Sequence, residues 1–404
     1  MTTVHWTSIL ETLIVGRYVR TDGVNDILSM GKEFEQRPIK LHGYLKHTDA
    51  ASVLYIDDFK LNMTTDFKRL TMGAVMAASF FYCLGTENSV TIPSKFLPKV
   101  HGVMRSRFEQ LTSDSKEGRF QVANARVNLS GDVTDFASYY FQIDFCDKGV
   151  VKILDAFTTL KSSCGLKIMA GQMRVPFSVD ATKAIEDYLF TNHSFVGTYV
   201  GSFRGVGAKL GWNARFARLY VEGGVFNSAV MTNHEVWQKD YVYAIKSRYS
   251  FGNCFVEGAF ESRCPDAIRI NMYDAAFSWS AGRWYTEAEY AYKHYTNKHA
   301  DACHAYNFMV DYRIPIKTEW FNQMSFQGRF DGATDHSSGT RYESVLIGDQ
   351  PARNRLTGGV TMSHLRERAG LDLRLDYEQY FYPKSHIEAT GDGNRISVEL
   401  IVWF

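Results

Sequence analysis

Side chains capable of chemistry are sparse in this sequence and seldom grouped. The densest group is His294, His299, Asp301, Cys303 and His304, all of them types that ligate metal ions. Their spacing matches no closed zinc pattern, so they read as solvated loop residues, and neither a metal nor any other cofactor is expected. Gly205-Val-Gly207 followed by Gly211 is a loose dinucleotide fingerprint. Its last spacing is wrong and no helix follows, which leaves strand glycines. No G-x-S-x-G nucleophile elbow occurs. A membrane-embedded hydrolase using Ser and His on neighbouring strands stays open, but no pair is singled out and no catalytic residue is expected.

Charge placed at alternate positions of apolar runs is the more informative pattern. Arg126, Lys246, Arg248, Arg269, Arg329 and Arg374 occupy the polar phase of their segments, as do Asp144, Glu257, Glu261, Asp331, Asp372, Asp376 and Glu378. In a pore, rings of Arg or Lys favour anions and rings of carboxylates favour cations. This set is mixed. So is the segment 176–202, with Lys183 against Asp180, Glu186 and Asp187. A cross-paired, solvated lining is expected from such a mixture, without a clear ion preference. Alternation is ambiguous around Lys152 and Arg174, which are left unassigned.

The elements that would carry these residues are strands. The 404 residues include 23 Tyr, 28 Phe and only 8 Pro, where average usage would give roughly twenty prolines. Such a balance suits extended chain. No run of 18 apolar residues occurs, which excludes a helical membrane protein. With net charge +1 and no charge block, a nucleic-acid surface is not expected either. Period-2 segments cover 99–111, 119–130, 136–146, 150–162, 165–175, 203–212, 215–226, 240–251, 254–263, 268–280, 283–296, 303–314, 321–332, 353–364, 369–381 and 394–404. That is about sixteen, each near the ~10 residues a tilted strand needs to cross a membrane. Short connections such as 131–135, 162–165, 212–215, 251–253, 281–282 and 365–368 interleave with longer ones at 176–202, 227–239, 333–352 and 382–393. A β-sandwich has no reason to keep that asymmetry, whereas a transmembrane antiparallel β-barrel does. Trp212, Tyr220, Trp279, Trp284, Tyr285, Trp320, Tyr380, Phe381 and Tyr382 sit at segment ends, as aromatic girdles would. Sixteen strands enclose an aqueous channel.

The two ends of the chain add address signals. Lys68-Arg69 precedes an apolar core over 70–82 and small residues before Gly85, so 63–85 reads as a secretory signal peptide. Residues 1–62 then read as an upstream extension of the reading frame, or alternatively a small appended domain. Residues 86–98 read as a linker and 99–404 as the barrel. The last segment alternates Ile396, Val398, Leu400, Val402 and Phe404 against Ser397 and Glu399. The final Phe404 resembles the signal read by the barrel-assembly machinery of bacterial outer membranes. Cys146 and Cys164, like Cys254 and Cys264, lie at opposite ends of one strand, too far apart for a disulfide. Free thiols are expected, with loop partners among Cys146, Cys264 and Cys303 left open.

Several stretches also resemble one family. Gly118-Arg-Phe-Gln-Val-Ala-Asn-Ala-Arg-Val-Asn-Leu-Ser-Gly-Asp132, Gln142-Ile-Asp144 and Val151-Lys-Ile-Leu-Asp-Ala-Phe157 resemble the opening hairpins of the phosphate-selective porin O/P family, in its Bacteroidetes form. Gly165-Leu-Lys-Ile-Met-Ala-Gly-Gln-Met-Arg-Val-Pro-Phe-Ser178 is the most specific stretch, followed by Val221-Glu-Gly-Gly-Val-Phe-Asn227. The resemblance covers about 99–404. It implies a homotrimeric passive diffusion channel in the bacterial outer membrane, surrounded by outer-membrane lipid and admitting small hydrophilic solutes or ions, anions and phosphate among them. It also implies that the long loop after the fifth strand folds inward and constricts the pore. The strand count independently puts 176–202 at that place. A closed barrel serving as a structural or adhesion scaffold remains the other reading beside the hydrolase.

Overall fold

The computed structural model describes residues 26–30, 39–48, 51–57, 96–112, 116–201, 204–228, 234–265, 268–296, 300–339, 341–342, 345–383 and 393–404. Two compact units divide the chain, Met1–Thr91 and Ile92–Phe404. In the first, β1 (Asp26–Met30), β2 (Ile39–Thr48) and β3 (Ala51–Asp57) form an antiparallel sheet in the order β1-β2-β3. The signal-like segment 63–85, and the linker as far as residue 95, lie outside the described residues.

The second unit is a closed antiparallel barrel of sixteen strands. They are β4 (Lys99–Leu111), β5 (Gly118–Asp132), β6 (Ala137–Asp147), β7 (Val150–Lys161), β8 (Leu166–Arg174), β9 (Arg204–Ala214), β10 (Leu219–Asn227), β11 (Tyr241–Phe251), β12 (Cys254–Arg263), β13 (Ile270–Ala281), β14 (Trp284–Tyr295), β15 (Cys303–Pro315), β16 (Gln323–Ala333), β19 (Arg353–Leu365), β20 (Gly370–Phe381) and β21 (Arg395–Trp403). Between β16 and β19, the small hairpin β17 (Arg341–Tyr342) and β18 (Val345–Leu346) decorates a long connection. Every period-2 segment read from the sequence becomes one barrel strand, with ends displaced by a few residues. Each strand pairs with its neighbours in sequence, and β21 closes the ring on β4 from Arg395↔Leu111 to Trp403↔Val103. Phe404 extends the closure: its backbone N–H and C=O exchange 3.0 Å hydrogen bonds with Gly102.

Alternation sorts the residues by face. Along β20, Arg374 and Asp376 are each 1% exposed while Leu375 between them is 50% exposed. The same alternation places Tyr241, Tyr243, Ile245, Phe326, Phe330, Ile396, Val398 and Leu400 on the exposed side. A closed sheet satisfies every ladder hydrogen bond, so its outside can meet hydrocarbon, which no open sheet can do. An apolar outside and a charged inside are the arrangement of a bacterial outer-membrane barrel. Trp212, Trp279, Trp284, Trp320 and Phe381 are exposed at strand ends or in turns, as girdle residues should be. Tyr220, Tyr285 and Tyr380 are not. Each donates its hydroxyl to a carboxylate two residues away on the same strand, Glu222, Glu287 and Glu378, and so faces inward. Aromatic character alone does not set direction; strand parity does.

The connections at 133–136, 162–165, 215–218, 252–253, 282–283, 316–322 and 366–369 form the short-turn end of the barrel. The connections after β8, β10, β16 and β20, the four longest, leave the barrel from the other end. Register shifts occur between β4 and β5 at Arg105/Ser106, and between β6 and β7 at Gln142/Ile143 and beyond Asp144. A bulge reverses parity, which is why alternation is unreadable near Lys152. That residue is half exposed and forms a 2.6 Å ion pair with Asp147 at the hairpin turn. The described cysteines Cys146, Cys164, Cys254, Cys264 and Cys303 are free thiols. Cys303 is buried inside and His304 is exposed on the opposite face, hydrogen-bonded to Tyr290, so strand parity separates two of the metal-ligand types grouped in sequence.

Candidate functional site

The connection after β8 enters the lumen of the barrel. Gly171, inside β8, has φ +134°, and a Cβ there would lie 2.3 Å from the Ala156 carbonyl oxygen. Only glycine allows that approach. Beside it the Gln172 amide donates to the carbonyls of Ile153 and Leu154. The Arg174 guanidinium then turns inward and donates to Ala181 O at 2.6 Å and Lys183 O at 2.9 Å. Phe177 is fully buried, and Ser178 caps the short helix α1 (Val179–Thr182) by accepting from Ala181 N. Gly-Gln-Met-Arg-Val-Pro-Phe-Ser therefore builds the bend that carries the chain off the wall and into the lumen.

Apolar packing holds the segment there. Phe177, Phe195, Val196 and Val200 pack on Ile270, Met272, Ala291, Tyr295, Cys303, Ala305 and Ala333, inward residues of β13 to β16. Ile185 and Tyr188 pack on Val103 and Ile401 of β4 and β21. Each such side chain contributes ~1.5–3 kcal/mol on burial.

Polar stitching fixes the path between these anchors. Arginines from β16, β19, β20 and β4 donate to a short run of backbone carbonyls: Arg374 to Tyr188 O (2.6 Å), Arg105 and Arg107 to Thr191 O (2.7 and 3.0 Å), Arg329 to Asn192 O (2.7 Å) and Arg355 to His193 O (2.6 Å). Carboxylates take the donors. Asp376 accepts from the Thr191 N–H, Asp331 from the Phe195 N–H, and Glu289 from the Ser178 hydroxyl and the Val179 and Asp180 N–H groups. Each arginine also has carboxylate partners. Glu399, 0% exposed, receives Arg105, Arg107 and Arg374, while Asp331 and Glu378 receive Arg355.

The four charged residues of the inserted segment divide between two roles. Asp180 is buried against Ser194 and His193, accepting 3.0 and 2.9 Å bonds from the Ser194 N–H and hydroxyl. Burial alone would raise its pKa, but the His193 hydrogen bond and the charges of His193, Lys183 and Arg329 hold it well below the usual carboxylate range. Lys183 makes a 2.6 Å ion pair with Glu287. Burial opposes its charge, yet Glu287 and Asp180 push its pKa above the ordinary lysine value. Glu186 instead reaches the wall, 3.0 Å from His101, and Asp187 is the exposed one of the four. Burial, with Glu186 adjoining, raises the Asp187 carboxyl, and Lys183 partly offsets this.

A cavity of about 210 Å³ lies between the segment at Thr182, Ala184, Ile185 and Glu186 and the wall at His101, Val103, Arg126, Asn128, Tyr140, Gln142, Asp155 and Arg174. Charge across it is balanced. Arg126 pairs with Asp144 at 2.8 Å, Arg204 with Asp155 at 3.0 Å, and Glu186 with His101 at 3.0 Å. Farther round the wall, Lys209, Glu222, Lys246, Glu257 and Arg248 alternate in sign along a network with spacings from 2.7 to 3.8 Å. Glu261 pairs with Arg263, and Asp372 with Arg374. Arg269 departs from the other sequence candidates. It precedes β13 and pairs with Asp240 at the rim, donating also to Tyr241 O.

Against solved structures, the chain is similar to OmpF of Salmonella typhi (TM-score 0.56, 11% identity, covering 77% of this chain and 98% of that one). It is similar also to an anion-selective porin from Comamonas acidovorans (TM-score 0.55, 11% identity, 76% and 98% covered). The trimer form of OmpT from Vibrio cholerae aligns with TM-score 0.52 at 10% identity, covering 76% and 99%. The fold is that of an outer-membrane porin. No family model and no curated protein matches the sequence.

Reading from sequence missed Arg105, Arg107, Arg353, Arg355 and Arg395, and the carboxylates Glu287 and Glu289, and it placed Glu399 on the polar phase without a partner. Parity could have found most of them, since Arg353, Arg355 and Thr357 alternate with exposed Leu356. What alternation could not show is that their partner is the backbone of the inserted segment.

Proposed function

We propose that the protein is a passive aqueous diffusion channel of the bacterial outer membrane, admitting small hydrophilic solutes or ions. One observation carries this: the segment after β8 is anchored on one side of the lumen, against β13–β21 and β4, and a charged, solvent-sized gap remains beside β4–β8. Asp180 and Lys183 act as anchors, Glu186 is held by His101 at the edge of the gap, and Asp187 faces the permeant. Arg126, Lys246, Arg248, Asp144, Glu257 and Glu261 contribute a lining of nearly balanced charge. The inner arginines Arg329 and Arg374 bind carboxylates and loop carbonyls, which leaves few donors for a multiply charged anion. Weak ion preference is therefore expected in place of the phosphate selectivity implied by the resemblance to the O/P porins. A homotrimer in outer-membrane lipid, inserted by the assembly machinery through Phe404, completes the reading.

The test is single-channel current of the folded full chain in a planar bilayer under a KCl gradient. Discrete steps with a small reversal potential are the expected outcome. Silence from protein shown to be folded would overturn the channel reading.

A further inference from the structure

A second cavity, of about 290 Å³, sits near the outer mouth, away from the gap beside β4–β8. Its floor is the π-turn 196–200 of the inserted segment. Its walls are the ends of β12, β13 and β14, and the exposed Ser338 and Gly339 form its rim. Thr198, Tyr199 and Tyr295 bring hydroxyl-bearing side chains, and Val200, Ile268, Ile270 and Leu346 bring apolar surface. Arg263 and Lys293 are the cationic lining residues, and no carboxylate is among the lining residues described.

Lys293 is the decisive group. It is only 8% exposed, yet no carboxylate lies within ion-pair distance of it among the described residues. Its ammonium makes one long bond, 3.3 Å to Ser337 O, and lies 5.0 Å from the centre of the Tyr295 ring. Ser337 O is already shared with the Tyr295 hydroxyl at 3.0 Å. Neighbouring carboxylates are engaged elsewhere: Glu261 pairs with Arg263, and Asp349 accepts from the Ser338 N–H at 2.7 Å. A buried ammonium without an anion is costly, and a ligand that supplies the anion recovers that cost.

We propose that this cavity is a binding site for a small organic monocarboxylate, its carboxylate on Lys293 and its apolar body between Tyr199, Ile270 and Leu346. Arg263 is held by Glu261 and donates to Val200 O, so the loosely bonded ammonium of Lys293 is the cation left to a ligand, which suits a single negative charge. The volume admits a ligand with a ring or a short chain at most. Such a site would hold selected solutes at the entrance to the passage proposed above, on which this inference rests for its purpose but not for its chemistry.

The experiment uses the folded full chain in detergent, with sodium benzoate as probe and calorimetric titration as readout. Saturable binding at one site per chain is expected, weakened at least tenfold in Lys293→Met and retained in Lys293→Arg. Lys161→Met, at the short-turn end, serves as the control and leaves binding unchanged. Heat-dependent gel mobility confirms that each variant is folded. Absence of saturable benzoate binding, equal binding by Lys293→Met, or tighter binding of inorganic phosphate would each overturn the assignment. KCl current without benzoate binding would sink this site and keep the channel. Binding without current would do the reverse.

Discussion

Glu399 is the residue through which the hold on the inserted segment is most directly tested. Its carboxylate is fully buried and accepts four hydrogen bonds: from Arg105 Nε and Nη2 at 3.0 and 3.1 Å, from Arg107 Nε at 3.1 Å and from Arg374 Nη1 at 3.1 Å. Those three guanidiniums in turn hold Tyr188 O and Thr191 O. Glu399→Gln keeps the shape, removes the charge and turns an amide NH₂ toward guanidinium donors. Breaking a buried ion pair by removing one partner costs about 3–5 kcal/mol. At about 1.4 kcal/mol per tenfold, the population with the segment released rises by roughly two to four orders of magnitude. The barrel itself is held by its closed ladder of backbone bonds and is expected to stay folded. Single-channel recording of the full chain should show the mean conductance rising and flickering between two levels appearing, where the unmodified chain shows one. Unchanged conductance and noise in a folded Glu399→Gln barrel would refute the view that this carboxylate, through its arginines, fixes the segment.

Three further outcomes follow from the same structure. Asp180 has a depressed pKa in the folded state, so its stabilising contribution is present above the ordinary aspartate value of 3.8 and is lost as pH falls through the lower folded value. Lys183 has a raised pKa, so its contribution is present below the ordinary lysine value of 10.5 and is lost as pH rises through the folded value. Current noise should therefore be lowest between these limits and rise outside them, and a flat profile in Asp180→Asn/Lys183→Met equal to that of the unmodified chain would defeat this assignment. Gly171→Ala should lower resistance to urea by about 1–3 kcal/mol, because of the +134° φ and the 2.3 Å approach to Ala156 O, whereas Gly358→Ala, where an added Cβ meets nothing within 4 Å, should be close to neutral. Equal tryptophan-fluorescence unfolding curves for the two would contradict the geometric argument. Phe404→Ala should reduce the folded fraction recovered from outer membranes while leaving refolding in vitro intact; loss of both would make Phe404 a packing residue and not an assembly signal.

Much of this barrel is legible in the sequence because membrane strands obey a strict rule. A period of two must put lipid-compatible residues on one side, so Leu371, Leu373 and Leu375 against Asp372, Arg374 and Asp376 declare both strand and face. Connection lengths declare which end is which. Legibility fails where a bulge shifts parity, as near Asp144 and Lys152, and where aromatic type is taken for direction, as with Tyr220, Tyr285 and Tyr380. It fails also at Arg269, whose place just outside β13 takes it from the inner face to the rim. Asp180 and Lys183 were legible as charges on the inserted segment but not as anchors, because their partners Ser194 and Glu287 depend on how that segment folds back.

By itself the sequence determined a sixteen-strand closed barrel, its polar inside, its two unlike ends and the place of the long connection after the fifth barrel strand. Those properties follow from local periodicity and from the requirement that backbone groups be paired in hydrocarbon, and both can be read one strand at a time. Only the tertiary structure decided which charges hold the inserted segment and which face the open gap. Arg105, Arg107, Arg329, Arg355 and Arg374 stand on four different strands and converge on the carbonyls of residues 188–193. That convergence exists only after the barrel has closed, since the distances that spend one guanidinium on a carbonyl and leave another beside a permeant are set across the lumen and not along the chain.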